Sequence, residues 1–324
     1  MRYVFGPVPS RRLGRSLGID PIPLKTCNWN CIYCQLGRTR PLTNIRIEYT
    51  LCHEIVNELR RALDVNEPGQ IDWVTFVGSG EPTLHSRLGK LIRQVKAMTS
   101  LPVAVITNGA LLYLPEVREQ LMAADAVLPS LDAGNPRLYR KINRPWPRLT
   151  FERLTEGLAA FRREYRGKLW VEVMLVQGMN DSEASLQEIA SILERVRPDQ
   201  VHINLPSRPP AEDWVRPSDE MGIKRAQSIL GCSAQLVMPS DLDVQAGLSE
   251  NLTETILSVI TRHPMREEEL LDLLERWSPS EVHSALDSLM ICGQAQVVVR
   301  YGIRFWSPAG AYFPVEKSPS SGGV

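Results

Sequence analysis

Residues 25–34 read Lys-Thr-Cys-Asn-Trp-Asn-Cys-Ile-Tyr-Cys, which places Cys27, Cys31 and Cys34 in a C-x3-C-x2-C spacing. Three thiolates this close together can hold three irons of a cubane 4Fe-4S cluster, and the fourth iron then has no protein ligand. An iron with an open position is a place where chemistry can occur. These three cysteines are therefore the predicted metal ligands.

A zinc site or a redox-active thiol pair are the alternatives for this motif. Zinc takes four protein ligands, or three and a water with His or a carboxylate among them, and no second C-x2-C or H-x3-H completes such a set. The other thiols, Cys52, Cys232 and Cys292, are isolated in apolar or amphipathic runs, where a cysteine is usually a buried inert thiol. The spacing favours the cluster.

Length and composition predict one large domain and a smaller second one. The chain has 324 residues, of which 43% are hydrophobic, enough for a substantial core. Its formal net charge is zero, but residues 1–50 carry a surplus of six positive charges and residues 131–153 a surplus of four. A substrate with phosphate or carboxylate groups is one explanation, and pairing or solvation of these cations within the fold is the other.

The sequence predicts a cytoplasmic protein without a membrane partner. The first residues, Met-Arg-Tyr-Val-Phe-Gly-Pro, lack an apolar signal-peptide core, and no apolar run approaches transmembrane length. Reduced cysteines fit that compartment.

Strand and helix patterns alternate from about residue 50, and a further strand precedes the cysteines. Helical spacing of apolar residues separates the buried runs, and repeated strand–helix units with right-handed crossovers predict a parallel sheet that curls. The predicted fold class is α/β, a partial (β/α)6 TIM-like barrel. Its six strands are expected near residues 17–22, 71–77, 103–107, 126–131, 169–176 and 200–205.

The loops after these strands hold the other candidate site residues, since ligands of parallel α/β folds bind at the carboxyl ends of the strands. In the second loop small residues let a ligand approach the backbone, and Glu81 can accept a hydrogen bond from an ammonium group. The candidates in the second, third and fourth loops are Gly78, Ser79, Gly80, Glu81 and Pro82, then Asn108, then Ser130 and Asp132.

The predicted domain boundaries are residues 1–240 for the barrel, 241–315 for a winged helix-turn-helix domain and 316–324 for a disordered tail. A Pro-rich stretch at 206–210 is expected over the open end of the barrel, where Arg208, Trp214 and Arg216 are candidate substrate contacts. A linker is predicted at 239–249.

The charge of the predicted winged helix disfavours DNA as a partner. Residues 250–312 hold five Arg against nine Asp and Glu, and the predicted recognition helix contains Glu281 and Asp287 but no Lys or Arg. Phosphate contacts supply most of the affinity of DNA-binding domains. Protein docking or oligomerisation is the predicted role.

The quoted motifs resemble those of the radical S-adenosylmethionine (radical SAM) superfamily. The cysteine spacing matches its signature, including Tyr33 before the last cysteine, and residues 78–82 match its glycine–glycine–glutamate motif with Ser79 in place of a glycine. The resemblance covers residues 1–240. Residues 5–18 and 35–38 look like the Fe-S oxidoreductase branch that is related to tRNA wyosine-base synthases.

This resemblance implies an enzyme with a 4Fe-4S cluster and SAM as cofactors, served by an electron donor such as flavodoxin or ferredoxin. Reductive cleavage of SAM would give a 5′-deoxyadenosyl radical that takes a hydrogen atom from the substrate. The resemblance implies that Tyr33, Asn204 and Leu205 contact the adenine of SAM and that the backbone of residues 78–81 binds its ammonium group. Asn108, Ser130 and Asp132 are implied to bind the ribose hydroxyls or the carboxylate. Arg144 is implied to bind the carboxylate of SAM or an anionic group of the substrate.

Three functions follow as hypotheses. The first is radical modification of a tRNA base. The second is modification or activation of a protein or peptide docked on the winged helix, and the third is a non-enzymatic Fe-S electron-transfer or regulatory protein, which would not need a glycine-rich SAM loop. No cysteine precedes Cys27, so one cluster is expected, whereas wyosine synthases resembling this chain use a second.

Overall fold

The computed structural model describes residues 3–10, 12–237 and 251–314. The strands of its larger unit are β1 (Val4–Ser10), β2 (Gly14–Ile19), β3 (Trp73–Phe76), β4 (Val103–Thr107), β5 (Ala126–Pro129), β6 (Lys168–Met174), β7 (Gln200–Asn204) and β8 (Ala234–Leu236). The helices of this unit are α1 (Cys52–Val65), α2 (Leu88–Met98), α3 (Pro115–Leu121), α4 (Pro136–Ile142), α5 (Phe151–Glu164), α6 (Glu183–Val196) and α7 (Glu220–Leu230).

These strands form one eight-stranded sheet in chain order from β1 to β8. Strands β2 to β8 are parallel, and β1 is antiparallel to β2. Neighbouring helices pack on one another, as α1 does on α2 and α6 on α7, which right-handed crossovers on a curled sheet require. The six predicted strands are all present, so the parallel α/β core is confirmed.

Among the described strands and α-helices, three were not predicted from the sequence. β1 contains Gly6 and Pro7, residues that are depleted in strands, and it forms because the turn before Gly14 folds it back on β2 as a hairpin. β8 has three residues, too few for a pattern. α4 has only seven, and its N-cap Asn135 accepts a hydrogen bond from the Leu138 N–H.

Apolar side chains fill the base of the barrel, at the amino ends of the strands. Leu13, Ala104, Ala126, Leu128 and Trp170 form a buried cluster there. With this end closed by side-chain packing, the carboxyl ends of the strands are the open end at which a ligand can enter. The loops with the candidate site residues are at that end.

His202 lies inside the barrel beside this cluster. Its side chain is buried, its ring centroid is 5.5 Å from that of Trp170, and its Nε2 contacts Gln200 Oε1 at 3.0 Å. Its Nδ1 has no hydrogen-bond partner among the residues that the structure describes. Burial, and secondarily the positive charge of Arg12, lowers the pKa of His202 to about 4.

Acidification is therefore expected to destabilise the protein through His202. Between about pH 6.5 and pH 4 the unfolded chain binds a proton at this residue that the folded chain does not, so stability falls as the pH falls through this window. The expected loss at pH 5 is roughly 2 kcal/mol. Urea unfolding of the cluster-free protein at pH 7 and pH 5 measures it. His202→Gln should remove this part of the pH dependence, and an equal loss in that variant would contradict the prediction.

A second unit, residues 251–314, is named the C-terminal unit here. It consists of α8 (Leu252–Arg262), α9 (Glu267–Leu273) and α10 (Pro279–Ile291), followed by the antiparallel strands β9 (Ala295–Arg300) and β10 (Ile303–Pro308). It has its own hydrophobic core. Three helices followed by a hairpin are the predicted elements, and their assignment as a winged helix stays a prediction. The predicted linker at 239–249 and tail at 316–324 lie outside the described residues.

The C-terminal unit packs on loops at the open end of the barrel. Arg208 forms an ion pair of 2.6 Å with Glu269, and the Arg300 Nε donates to the Pro210 carbonyl at 3.1 Å. After the cysteines, the Arg38 N–H donates to the Tyr312 carbonyl at 2.7 Å, and a Cβ at Gly37 would lie 2.4 Å from that carbonyl oxygen. The loops at residues 37–38 and 208–210 therefore both make direct contacts with the C-terminal unit.

None of the helices in the described part of the chain combines the length and the apolar character needed to cross a membrane.

Candidate functional site

The three cysteines lie in the loop that follows β2, and each thiol has a nearby hydrogen-bond donor. Cys27 Sγ accepts from the Trp29 N–H at 3.4 Å and lies 3.8 Å from Asn108 Nδ2. Cys31 Sγ lies 3.8 Å from Asn143 Nδ2, and Cys34 Sγ lies 3.0 Å from Lys25 Nζ. Donors around sulfur are typical of a site that binds iron through thiolates.

The segment after α4 holds this loop in place. The Asn30 and Ile32 N–H groups donate to the carbonyls of Asn143 and Ile142, at 3.0 and 2.9 Å, and the Trp146 N–H donates to the Asn28 carbonyl at 2.8 Å. The motif therefore has backbone partners on a second segment and does not depend on its own turn alone.

Three thiols are a suitable ligand set for an iron–sulfur cluster. Within the described residues, no three Cys, His, Asp or Glu side chains are arranged to hold one metal ion. Cluster ligands bind separate irons, and soft thiolates are the ligands that such clusters take. Burial raises the pKa of Cys27 to about 12, and burial followed by the charge of Asp132 raises that of Cys31. Iron binding must therefore displace protons from these thiols.

Lys25 is a buried cation at this site, and its Nζ also donates to the Gly37 carbonyl at 2.7 Å. A positive donor beside Cys34 stabilises the more negative, reduced state of a bound cluster. Lys25→Met is expected to lower the reduction potential by roughly 60 mV, the one-electron equivalent of a tenfold change. A redox titration followed by EPR measures this, with the exposed Lys168→Met as the control. An unchanged or raised potential would contradict the prediction.

The glycine loop, residues 78–81, passes directly over the cysteine loop. A Cβ at Gly80 would lie 2.0 Å from the Thr26 carbonyl oxygen, and a Cβ at Gly78 would lie 2.0 Å from Asp20 Oδ1. The Lys25 N–H donates to the Ser79 carbonyl at 2.6 Å, and the Glu81 N–H donates to the Thr26 carbonyl at 2.9 Å. The two predicted motifs are therefore in contact, and the absent side chains make this contact possible.

Glu81 does not point its carboxylate at an open site. Oε1 accepts hydrogen bonds from the Thr83 N–H and from the hydroxyls of Thr83 and Thr107, and Oε2 accepts from the Asn108 N–H at 2.7 Å. Burial raises the pKa of Glu81 although these donors oppose the shift. Its observed role is to join the loops after β3 and β4, while Pro82 begins a short 3-10 helix (Pro82–Leu84).

Asp132 and Tyr33 contact each other. Asp132 Oδ2 accepts from the Tyr33 hydroxyl at 2.5 Å and from Asn143 Nδ2 at 2.6 Å, and Oδ1 accepts from the Met174 N–H. Burial raises the pKa of both Asp132 and Tyr33. Asp132 therefore fixes the tyrosine of the cysteine motif and Asn143, the donor beside Cys31.

The remaining predicted residues lie in different places. Arg144 forms an ion pair with the buried Glu212, which also binds Arg38 at 2.6 Å. Ser130 forms a backbone bridge with Glu172. Asn204 and Leu205 line a large cavity. The structure thus places Arg144 with a protein partner and the last two residues beside open space.

This cavity, of about 1250 Å³, extends from the barrel interior to the C-terminal unit. Among its lining residues are Cys31, Tyr33 and Cys34, together with Arg208, one of the three predicted substrate contacts. Arg216, another of the three, instead places its guanidinium 5.3 Å from the ring centroid of Tyr301.

An ion pair in the cavity wall, between Arg12 and Glu172, was not predicted. Arg12 belongs to the turn between β1 and β2, and Glu172 is in β6. Side chains alternate between the two faces of β6, so Glu172 faces the same side as Trp170 and Met174. This alternation was the only feature of the sequence that could have indicated that Glu172 faces the barrel interior.

Comparison with known proteins places the chain in a family. A family model described as the Radical SAM superfamily matches residues 22–190. A UPF0026 protein of Methanocaldococcus jannaschii is 35% identical over 283 residues, which cover 85% of this chain and 87% of that protein. A Brachyspira hyodysenteriae protein described as GTPase Obg is 41% identical over 266 residues, covering 81% of this chain but 39% of that longer protein.

Two more distant matches are a protein described as an RNA methyltransferase and a solved structure with a similar fold. A Thermotoga petrophila protein, "Probable dual-specificity RNA methyltransferase RlmN", is 23% identical over 235 residues, which cover 69% of this chain and 65% of that protein. The crystal structure of a radical SAM methyltransferase from Sphaerobacter thermophilus has a TM-score of 0.51 at 19% identity and covers 68% of this chain and 65% of that one. At this identity the second likeness concerns the fold alone.

Proposed function

The chain belongs to the radical SAM superfamily, and we propose that it is an enzyme that uses a 4Fe-4S cluster and SAM to modify a base of RNA, with tRNA as the favoured substrate. When bound, the two cofactors supply reductive cleavage of SAM and hydrogen-atom abstraction from the substrate. The observation that carries the proposal is the contact between the three-thiol loop and the glycine loop.

The chain's own residues have distinct parts in this proposal. Cys27, Cys31 and Cys34 hold the cluster, and the donors beside their sulfurs fix their orientation. The Ser79 carbonyl already accepts the Lys25 N–H, whereas the carbonyls of Gly78 and Gly80 accept no hydrogen bond from a described residue. Those two carbonyls are the proposed acceptors for the SAM ammonium group. The cavity walls exclude water from the reacting atoms.

The chemistry is tested by anaerobic reconstitution of the cluster, reduction and addition of SAM. The expected product is 5′-deoxyadenosine. An intact 4Fe-4S signal that SAM does not perturb, without that product, would overturn the proposal.

Charge distribution favours the second of the two basic regions, residues 131–153, as the place for RNA. Near the N-terminus several of the described cations are paired within the fold, as Arg12 is with Glu172, Arg15 with Asp72 and Arg38 with Glu212. On α4, by contrast, Arg137, Arg140 and Lys141 are exposed at spacings that place them on one face. The segment after α4 pairs with the cysteine loop. A polyanion on this face would therefore lie beside the site.

Substitution of Arg137, Arg140 and Lys141 by Gln is expected to weaken tRNA binding and to reduce the slope of log affinity against log salt by about 2–3, since each phosphate contact contributes about 0.7–0.9. The matched control replaces three other exposed cations, Arg87, Lys90 and Arg93, by Gln. Filter binding or fluorescence anisotropy over a salt series measures both. Equal losses in the two variants would contradict an RNA site on α4.

A protein or peptide substrate is the second candidate. Exposed apolar side chains on the C-terminal unit favour it, namely Met290, Ile291 and Val299, because such residues are enriched where proteins dock. Kinship with tRNA wyosine-base synthases, carried by residues 5–18 and 35–38, remains part of the tRNA proposal.

A further inference from the structure

A buried ion pair joins the C-terminal unit to the cofactor loops. Arg262 is the last residue of α8, and its Nε lies 3.3 Å from an oxygen of Asp20, which directly follows β2. The two side chains are only 8% and 5% exposed. A charge pair removed from water to this extent responds strongly to the loss of either partner.

Asp20 also holds the glycine loop. Its Oδ2 accepts the Ser79 hydroxyl at 2.7 Å, and both carboxylate oxygens lie 3.2 Å from the Ser79 nitrogen. A glycine at position 79 would keep the N–H but would lack the hydroxyl. The residue that departs from the glycine motif is therefore the one that reaches Asp20.

The position of Arg262 is itself fixed from several sides. Its Nη1 donates to the Ser258 carbonyl at 3.1 Å, and its guanidinium lies 4.5 Å from the ring centroid of Phe5 on β1. The Arg262 carbonyl accepts a hydrogen bond from Gln35 Nε2 at 2.8 Å, immediately after the cysteine motif. The end of α8 thus contacts the segments on both sides of the cofactor site.

We propose that Arg262 is a positioning residue for SAM: it orients Asp20, Asp20 orients Ser79, and Ser79 sets the carbonyls of the glycine loop. This inference rests on the proposed function, because it takes the glycine loop as the SAM site. Its consequence is a coupling between docking of the C-terminal unit and SAM binding. Such a coupling is reciprocal, so SAM should also tighten the docking of that unit.

The test compares Arg262→Met with the wild type in two measurements. Equilibrium dialysis of SAM against the oxidised, cluster-loaded protein avoids turnover, and the dissociation constant is expected to rise about 10-fold. Hydrogen–deuterium exchange of the cluster-free protein should show faster exchange at residues 78–81. Ser79→Gly should have a similar effect on both. The double variant should be no worse than the more affected single one, because the residues act in one chain of contacts.

Arg300→Met is the matched control. Arg300 is also a buried arginine that ties the C-terminal unit to the barrel, through the Pro210 carbonyl, but it does not contact the glycine loop. It should also loosen the docking, but it leaves the ion pair between Arg262 and Asp20 intact, so the SAM dissociation constant should rise much less than in Arg262→Met. Equal losses of SAM affinity in the two variants would show a general docking effect and overturn the proposal.

Two further outcomes separate this inference from the proposed function. Unchanged SAM affinity and unchanged exchange in Arg262→Met would overturn the positioning role and leave the function intact. A wild-type protein that does not bind SAM would overturn the function, and exchange at residues 78–81 would still decide whether Arg262 orders the glycine loop. If Arg262→Met does not fold, Arg262→Lys, which keeps the charge, is expected to raise the dissociation constant about 3-fold, and no rise would overturn the proposal.

Discussion

Cys31→Ala is expected to yield a protein without the 4Fe-4S cluster and with SAM cleavage at background, a loss of at least about 10³-fold. The physical reason is that each thiolate of the motif holds a separate iron, so the removal of one leaves two ligands for a cluster that needs three from the protein. Asn143 beside the sulfur cannot replace a thiolate, because an amide nitrogen carries no negative charge.

Iron and sulfide content, the absorbance of the cluster and 5′-deoxyadenosine formation measure this loss. Cys232→Ala is the control, because Cys232 is an exposed thiol that lies outside the motif. It should retain all three properties. SAM cleavage that survives Cys31→Ala would mean that the iron ligands are assigned wrongly.

Gly80→Ala is expected to lower SAM affinity about 100-fold and to destabilise the protein by about 1–3 kcal/mol, the usual cost of an added group in a packed site. The new methyl group would lie 2.0 Å from the Thr26 carbonyl oxygen, which also accepts the Glu81 N–H. The glycine loop and the cysteine loop would have to separate, and that hydrogen bond would lengthen.

Gly69→Ala is the comparison for this prediction. Gly69 has a positive φ of 86°, but a Cβ there would meet no atom within 4 Å. Gly69→Ala should therefore lower the stability of the fold by about 1–2 kcal/mol through backbone strain. It should not change SAM affinity. Isothermal titration of the cluster-loaded variants with SAM, together with thermal unfolding, distinguishes the two. Normal SAM affinity in Gly80→Ala would show that the loops adjust independently.

The fold was predictable where burial leaves a pattern in the sequence. β3, β4, β5 and β6 are mainly apolar runs with helical patterns between them, and their positions were predicted. β1 was missed because Gly6 and Pro7 argue locally against a strand, and only pairing with β2 stabilises it. Tertiary contact outweighed local preference there.

The site was predictable in its residues but less so in their partners. The spacing of the cysteines and the small residues at 78–80 identified loops that the structure brings together. The sequence could not reveal that Asp132 binds Tyr33 or that Arg144 binds Glu212, because a strand-end position indicates nearness to a site and not the direction of a side chain. Asp20 and Arg262 lie in different units, so no local pattern connects them.

The fit between Gly37 and Tyr312 has an evolutionary consequence. A side chain at position 37 would collide with the backbone of the C-terminal unit, and the neighbouring Arg38 N–H depends on the same carbonyl. Gly37 also has a φ of 75°, which favours glycine and tolerates Asn or Asp, whether or not the C-terminal unit is present. Homologous chains that have lost or exchanged the C-terminal unit are therefore freed from the steric requirement and can carry Asn or Asp at position 37, whereas chains that keep the unit cannot. An alignment of both kinds of homologue should separate them at this position, and glycine in both would show that another constraint maintains it.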